Sequence, residues 1–489
     1  MTATESINIF NMPMAKGIWN TMGSNLADVA QAICEFIDNS ISNFRGNPGD
    51  GTQLRQVKVN VVNLGDRVKV TVEDNGTGIQ NLNNAMTLAG TEGRESPLNE
   101  HGFGMKHALA YMDQNNCAWE ILTCTAEDCK YDHYVSVKPP YDFDGMTAEY
   151  KTGWVGTLGA TGTVIRFVCP MAVFESMGRR GKTKLSFEQL VGILCEHLRY
   201  TYATILQRKE LILNLIWESD GKEHSQFLEP LLPQWEAGTL VELPDQEIVF
   251  NKDLGEKLTI SCRYGHICPD EDAYLHYVGN MESSGAEIRI NGRVVEHGLL
   301  KEIWGRARHN VYNTFLVQID LQSNDANSLP ATKTAKNGFR IEGAKIQTVF
   351  EWVRANVTLP PKVSKEHQLR KQLAEIKGAE KGVIVKEERA VFSADGINVP
   401  ADLFVSRGEK VTLYECKVKN TSCLNTYQLR MYWDGCVRDG IHVEEGILIA
   451  QNHPAEVVKL IRILNQLTGP DGRRYNFRTA LWAEEGIAV

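Results

Sequence analysis

Apolar residues recur at helical spacing over Ala27–Ser42 (ADVAQAICEFIDNSIS), where Ala27, Val29, Ala30, Ile33, Ile37 and Ile41 form one stripe. Glu35 and Asn39 stand one helical turn apart and share the polar face. The period then changes. Gln56–Asn63 and Arg67–Glu73 alternate apolar and polar positions, which predicts two paired strands with Leu64-Gly65-Asp66 as their turn. Asn81–Ala89 predicts a short helix, and Gly90–Glu100 a polar, glycine-containing loop long enough to serve as a lid. Gly102–Met112 opens a helix directly after glycines, and Thr161–Phe167 adds a strand, so the first third of the chain reads as a mixed sheet layered with helices.

Further along, Leu185–Lys209 has the pattern of one long amphipathic helix. Short alternating strands follow at Leu211–Trp217, Leu258–Tyr264 and Glu287–Val295, the last turning at Asn291-Gly292. Pro360 and Pro361 then break the preceding helix. Beyond them Lys362, Lys365, Arg370, Lys371, Lys377, Lys381 and Lys386 outnumber the local acids, the signature of a connecting helix with a solvated basic face. In the last block Pro400-Ala401-Asp402 precedes a strand, Gly408 marks a turn, and a second strand ends in Glu415-Cys416-Lys417. Gln428 and Tyr432 fall on the helix that should follow, and Gly446–Ala450 and Ala480–Trp482 complete a sheet.

Composition narrows this. A chain of 489 residues is long for one core and implies two to four domains. With 43% hydrophobic and 23% charged residues it has an ordinary globular composition. It contains no apolar run of the ~18 residues a membrane span needs. MTATESINIF lacks the basic and apolar regions of a secretory signal, so a cytoplasmic location is expected. Eleven cysteines without a CxxC pair point to reduced thiols rather than to a disulfide framework or structural zinc. A net charge of −9 argues against a chain that coats nucleic acid everywhere and leaves room for a local basic groove.

Three stretches then carry candidate chemistry: AICEFIDNSISN, VEDNGTGI and HGFGMKHAL. Polyphosphate needs backbone N–H groups it can approach closely, and Gly102 and Gly104 at a helix opening supply them, with the Lys106 cation nearby. Magnesium on a triphosphate keeps several waters, so the single amide of Asn39 suffices as its protein anchor. Glu35 is placed to polarise an attacking water, and Asp74, on a turn with Gly76 and Gly78, to accept from an exocyclic amine. Singly these are a solvated helix face, a turn and a cap. Their ordered conjunction, closed by Gly162-Thr163, is much harder to obtain by accident.

In that order the motifs resemble the GHKL ATPases: gyrase, the ninety-kilodalton heat-shock chaperones, sensor histidine kinases, MutL and the MORC proteins. The resemblance spans roughly residues 15 to 170. It implies Glu35 as catalytic base and Asn39 as magnesium ligand. Asp74 and Thr163 become adenine-side contacts, Gly76 and Gly78 the base-pocket turn, and Gly102, Gly104 and Lys106 the lid hinge and phosphate cradle. Ser42 stands where many relatives carry a second acid. Glu35 favours hydrolysis over phosphotransfer. EIRINGRVV resembles the transducer that follows such ATPases, which implies a lysine reaching back to the γ-phosphate; Lys336 is preferred, with Lys333 as the alternative.

Asp402 on one strand and ExK on the next would place two carboxylates and Lys417 on one side of a hairpin. Asp402 and Glu415 could then hold a hard cation that activates water, with Lys417 orienting it. The pattern resembles the PD-(D/E)xK nucleases. Gln428 and Tyr432 match the QxxxY of the RecB-like branch, and Glu387 or Glu388 would be its helical acid. The expected architecture is an α/β multidomain chain: an α+β GHKL (Bergerat) sandwich at 1–175, an α/β transducer at 176–357, a basic connecting segment at 358–386 and an α/β PD-(D/E)xK nuclease-like domain at 387–489. The expected function is an ATP-gated, magnesium-dependent DNA endonuclease, with ATP and Mg2+ as cofactors. Closure of a homodimer would control it, in antiviral defence or repair and beside further subunits of such a system. The alternative is a MORC-like DNA clamp or chaperone-like ATPase whose C-terminal domain only binds.

Overall fold

Val57, Val59 and Val61 alternate with polar residues along β1 (Gln56–Asn63), as do Val68, Val70 and Val72 along β2 (Arg67–Asp74), and all six valines are buried. The two strands pair antiparallel around Gly65, whose φ of +91° suits the tight turn. They form the middle of an eight-stranded sheet with β3 (Trp119–Cys124), β4 (His133–Val137), β5 (Ala148–Thr152), β6 (Gly162–Pro170), β7 (Ile212–Ser219) and β8 (Lys222–Phe227), in the order β5-β4-β3-β6-β2-β1-β7-β8. The buried valines share one core with Ile33, Phe36 and Ile37 of the Val29–Gly46 helix. Asp28 caps that helix by accepting from Gln31 N, and the helix runs one turn past the predicted end.

The computed structural model describes residues 17–47, 54–88, 90, 102–142, 145–178, 184–219, 221–307, 309–333, 337–360 and 365–489, and it divides into two units, Met1–Leu359 and Pro360–Val489. Both units mix sheets and helices, so the chain is an α/β multidomain protein. The lid loop expected at 90–100 lies, except for Gly90, outside the described residues.

Two expectations for the first unit change. The single helix over Leu185–Lys209 is two, Phe187–Thr201 and Ala203–Gln207, parted at Tyr202. The strand expected at Leu211–Trp217 belongs to the first sheet: β7 runs parallel to β1, and Leu213 and Leu215 join its core. The second sheet comprises β9 (Gln234–Trp235), β10 (Val241–Asn251), β11 (Glu256–Cys268), β12 (Gly285–Ile290), β13 (Arg293–His297) and β14 (Phe315–Gln322), ordered β10-β11-β14-β12-β13 with β9 pairing to β11. The Ala344–Asn356 helix covers it through Ile346, Val349, Phe350 and Val353.

The second unit holds a five-stranded sheet in sequence order: β15 (Val383–Val391), β16 (Val399–Arg407), β17 (Lys410–Cys416), β18 (Val443–Ala450) and β19 (Phe477–Leu481). The first three pair antiparallel, and β17, β18 and β19 run parallel. The Cys423–Arg438 helix buries Leu429 and Trp433 against one part of the core. The Lys365–Gly378 helix is not a solvated connector. Leu369 and Leu373 pack with Leu403, Tyr414, Ile449 and Trp482, so its apolar side is part of this unit's core.

Candidate functional site

In the first unit a cleft of about 1350 Å³ opens above the Val29–Gly46 helix, lined among others by Asn39, Asp74, Gly78, Gly102, Gly104, Lys106 and Thr163. The structure thus brings together seven of the residues expected at the nucleotide. Asn39 is half-buried. Asp74 ends β2, and its carboxylate accepts from Ser40 Oγ at 2.8 Å, Gly76 N at 2.9 Å and Thr163 N at 3.3 Å. Burial pushes its pKa up, and these three donors work against that rise. The Asp74 side chain is therefore aimed by its own neighbours on helix, turn and strand.

The turn after Asp74 is held from three sides. Asn43 accepts from Thr77 N at 3.0 Å and donates to Thr77 Oγ1 at 2.9 Å. Thr161 donates to Gly76 O at 2.8 Å, and Thr123 accepts from Ile79 N at 2.7 Å. Gly78 has φ +75°, and a Cβ there would meet the Cys124 carbonyl at 2.5 Å, so both conformation and space require glycine. A Cβ on Gly76 would strike Asn43 Oδ1.

Glu35 is completely buried and does not itself line the cleft. It lies directly beneath the cleft's edge, because a Cβ on Gly104 would collide with Glu35 Oε2. Gly104 opens the Gly104–Met112 helix, and Gly102, with φ +64°, makes the turn before it. Lys106 is 2% exposed and donates from Nζ to Ala85 O at 2.7 Å; burial brings its pKa down to about 8. In this conformation the ammonium serves a backbone carbonyl at the cleft wall. Lys333 is exposed, bonded through its backbone N to Gly338 O at 2.8 Å, and is not among the cleft residues. Lys336 lies outside the described residues.

The second unit gathers the other candidates. Asp402 on β16 accepts from Cys416 N at 2.8 Å, which ties it to the strand that carries Glu415. Glu415 is 1% exposed, and Lys417 Nζ stands 3.0 Å from its Oε1, an ion pair whose geometry falls short of a hydrogen bond. Burial first, and then the Asp402 charge, push the Glu415 carboxyl up to about 7; Lys417 and the Tyr432 hydroxyl pull the other way. Burial, then Glu415 and Asp402, raise the Tyr432 phenol in turn, which places Tyr432 beside the pair. Gln428, one turn earlier, accepts from Asn425 Nδ2 at 2.8 Å on its own helix.

Several participants escaped the sequence reading. Glu387 and Glu388 lie on β15, not on a helix, so neither is a helical acid. Glu366, on the Lys365–Gly378 helix, has its Oε1 3.2 Å from Lys417 Nζ. Arg370, expected on a solvated face, is 6% exposed and reaches Glu388 at 2.7 Å, Glu387 at 3.4 Å and Asp402 at 3.5 Å. The neighbouring leucines at 369 and 373 were the available signal, since they turn that part of the helix toward a core. In the first unit Asn43 and Ser40 were missed as well; for Asn43 the available signal was its place one turn beyond Asn39. Among the described residues no group of three or more His, Cys, Asp or Glu side chains is arranged to hold a metal ion.

Residues 27–123 match a protein family described as the histidine kinase-, DNA gyrase B- and HSP90-like ATPases. No curated protein matches the chain. Among solved structures it is similar to the topoisomerase IV ATP-binding domain of Francisella tularensis, solved with a small-molecule inhibitor. The identity is 13% and the TM-score 0.31, over 68% of this chain and 89% of that one, a likeness too distant to carry an argument. No described helix is long and apolar enough to cross a membrane. The motifs, the cleft they line and the matching family together place a GHKL-type, ATP-binding ATPase domain at the N-terminus of this chain.

Proposed function

We propose that the chain is an ATP-gated, magnesium-dependent DNA endonuclease. Asp74 would take the adenine amine, with Thr163 supporting it and Gly76 and Gly78 shaping the turn. Gly102, Gly104 and Lys106 would close on the phosphates, the lysine exchanging its bond to Ala85 for them. The amide oxygen of Asn39, half-buried in the cleft wall, fits a cation that otherwise keeps its waters, and magnesium there neutralises triphosphate charge. Glu35 would take the proton of the attacking water once the cleft closes around it. The γ-phosphate lysine stays with Lys336 or Lys333. Closure of two subunits would report the nucleotide to the C-terminal unit.

The observation that carries the nuclease half is Glu415, a buried carboxyl pushed up to about 7 by burial and by Asp402 on the neighbouring strand, with Lys417 at 3.0 Å. Structural carboxylates are seldom left under such like-charge stress. A divalent cation relieves it, and two carboxylates plus waters suit magnesium, which would activate water against a phosphodiester. Lys417 would orient that water, and Tyr432 and Gln428 would border the strand to be cut. Supercoiled plasmid incubated with the full chain, Mg2+ and ATP should be nicked or linearised, and Asp402→Ala should abolish this. Equal survival of the plasmid with both proteins would refute the nuclease reading.

A second reading, a MORC-like DNA clamp with a non-catalytic C-terminal domain, draws on Arg370. Its guanidinium supplies Asp402, Glu387 and Glu388 with the positive charge a metal would bring. On that reading the full chain retains plasmid in an ATP-dependent manner without cutting it. Defence or repair would suit either reading.

A further inference from the structure

Glu35 and Asn39 stand on the same helix, and between them Asp38 faces away from the cleft. It is fully buried. Both its oxygens accept from Arg293 Nε, at 3.0 and 2.9 Å, and the Tyr202 hydroxyl donates to Oδ1 at 2.9 Å. Arg293 is itself buried and opens β13, so this ion pair joins the helix of the first sheet to a hairpin of the second. The tip of that hairpin grips the helix again two turns on, where Arg45 Nη2 donates to Asn291 O at 2.9 Å. The tip has little freedom: Gly292, with φ +86°, sits against Thr204 and Ile205, and its N–H donates to Asp320 at 2.9 Å.

Holding two charges away from water costs more than an apolar contact of the same size would, so packing alone gives no reason for this pair. Its directionality does. An arginine that donates from Nε to both oxygens of one aspartate and from Nη1 to Val294 O at 2.9 Å has one orientation, and a helix held by it has one roll angle. Burial works against the Arg293 charge; Asp38 holds it, with smaller help from Tyr202, Cys34 and Glu35, which places the guanidinium in the field of the expected base as well.

We propose that Arg293 is a positioning residue for ATP turnover: through Asp38 it fixes the roll of the helix carrying Glu35 and Asn39, so that the second sheet sets whether both face the nucleotide. The inference rests on the reading of Glu35 and Asn39 given above. It concerns how these two side chains are aimed, and Arg293 itself touches no substrate.

The test uses the full chain and its Arg293→Lys, Arg293→Gln, Asp38→Asn and Asp38→Asn/Arg293→Gln variants. The active fraction of each is titrated with a non-hydrolysable ATP analogue. Misaiming a reacting group by an ångström costs on the order of a hundredfold in rate, so each neutral single variant should lose about ten- to a hundredfold in kcat with KM within about threefold. The double variant should recover part of the loss, because two amides can hydrogen-bond without a lone buried charge. Arg293→Lys keeps the charge and folds most readily; it should lose kcat through its altered geometry. Unchanged kcat per titrated site in Arg293→Lys and Arg293→Gln would overturn the inference. Hydrogen exchange separates this from failure of the underlying reading. Faster exchange over residues 29–46 in Arg293→Gln is expected whether or not ATP is hydrolysed, and unchanged exchange there would also overturn the inference. Loosened exchange in a chain whose wild type binds but never hydrolyses ATP would instead refute the assignment of Glu35.

Discussion

His107 and Glu415 are buried groups whose protonation is set by their surroundings, and both leave a mark on stability. Burial, and then the Lys106 charge, bring the His107 imidazole down to about 4. Between its unfolded value near 6.5 and 4 the unfolded chain binds the extra proton, so folding stability is lost as pH falls through that window. His107→Phe keeps the stacking on Phe103 and removes the titration. Chemical denaturation of the variant should show a shallower acid loss, by on the order of 2 kcal/mol at pH 4.5. Glu415 runs the other way. Its folded value of about 7 exceeds the unfolded one near 4.5, so the folded chain holds the proton and stability falls as pH rises from 4.5 to 7. Glu415→Gln should therefore stabilise the chain at pH 8, by about 3 kcal/mol. A site that costs the fold stability in this way is the expected signature of a functional carboxylate. A destabilised Glu415→Gln would show that the carboxylate serves structure instead.

At the level of elements the same logic picks out Gly104. A methyl group there meets the end of a flexible side chain, Glu35, and not backbone. Gly104→Ala should therefore cost the fold only about 1 kcal/mol while displacing Glu35, the proposed base, and lowering ATP turnover at least about tenfold. Thermal melting beside a turnover assay separates the two effects. In the second unit, Leu373→Ala removes the fully buried anchor of the Lys365–Gly378 helix and should cost about 2–5 kcal/mol in denaturant unfolding of that unit. That helix also shows what the sequence could and could not deliver. The alternation of β1 and β2, the glycines around Gly102 and the stripe beneath Glu35 and Asn39 are local patterns, and they were readable. Arg370 was read as solvated because a basic run carries no trace of the carboxylates on β15 and β16 that surround it. β7 was assigned away from the first sheet because its parallel partner, β1, lies some 150 residues earlier and only long-range pairing reveals it. Tyr202 breaks the long helix without proline or glycine; its buried hydroxyl bonds to Asp38 instead of continuing an apolar stripe.

For the whole molecule the proposal is that a nucleotide bound at the N-terminal cleft governs chemistry at Asp402 and Glu415. The ATPase domain and the acidic cluster are separate structures in separate units, and either can exist without the other being its target. What would link them is control. A ligand governs a distant site only through its different affinity for two states, so the rate of cutting must follow occupancy of the cleft. The most direct measurement is the initial rate of plasmid cleavage by the full chain at fixed Mg2+ across a series of ATP concentrations, repeated with Asp402→Ala and Glu35→Ala. On this proposal cleavage should rise at least about tenfold with ATP, vanish in Asp402→Ala, and in Glu35→Ala be switched on by ATP without ATP being consumed. Cleavage by the wild type at one rate with and without ATP would contradict it, as would DNA left intact by wild type and Asp402→Ala alike.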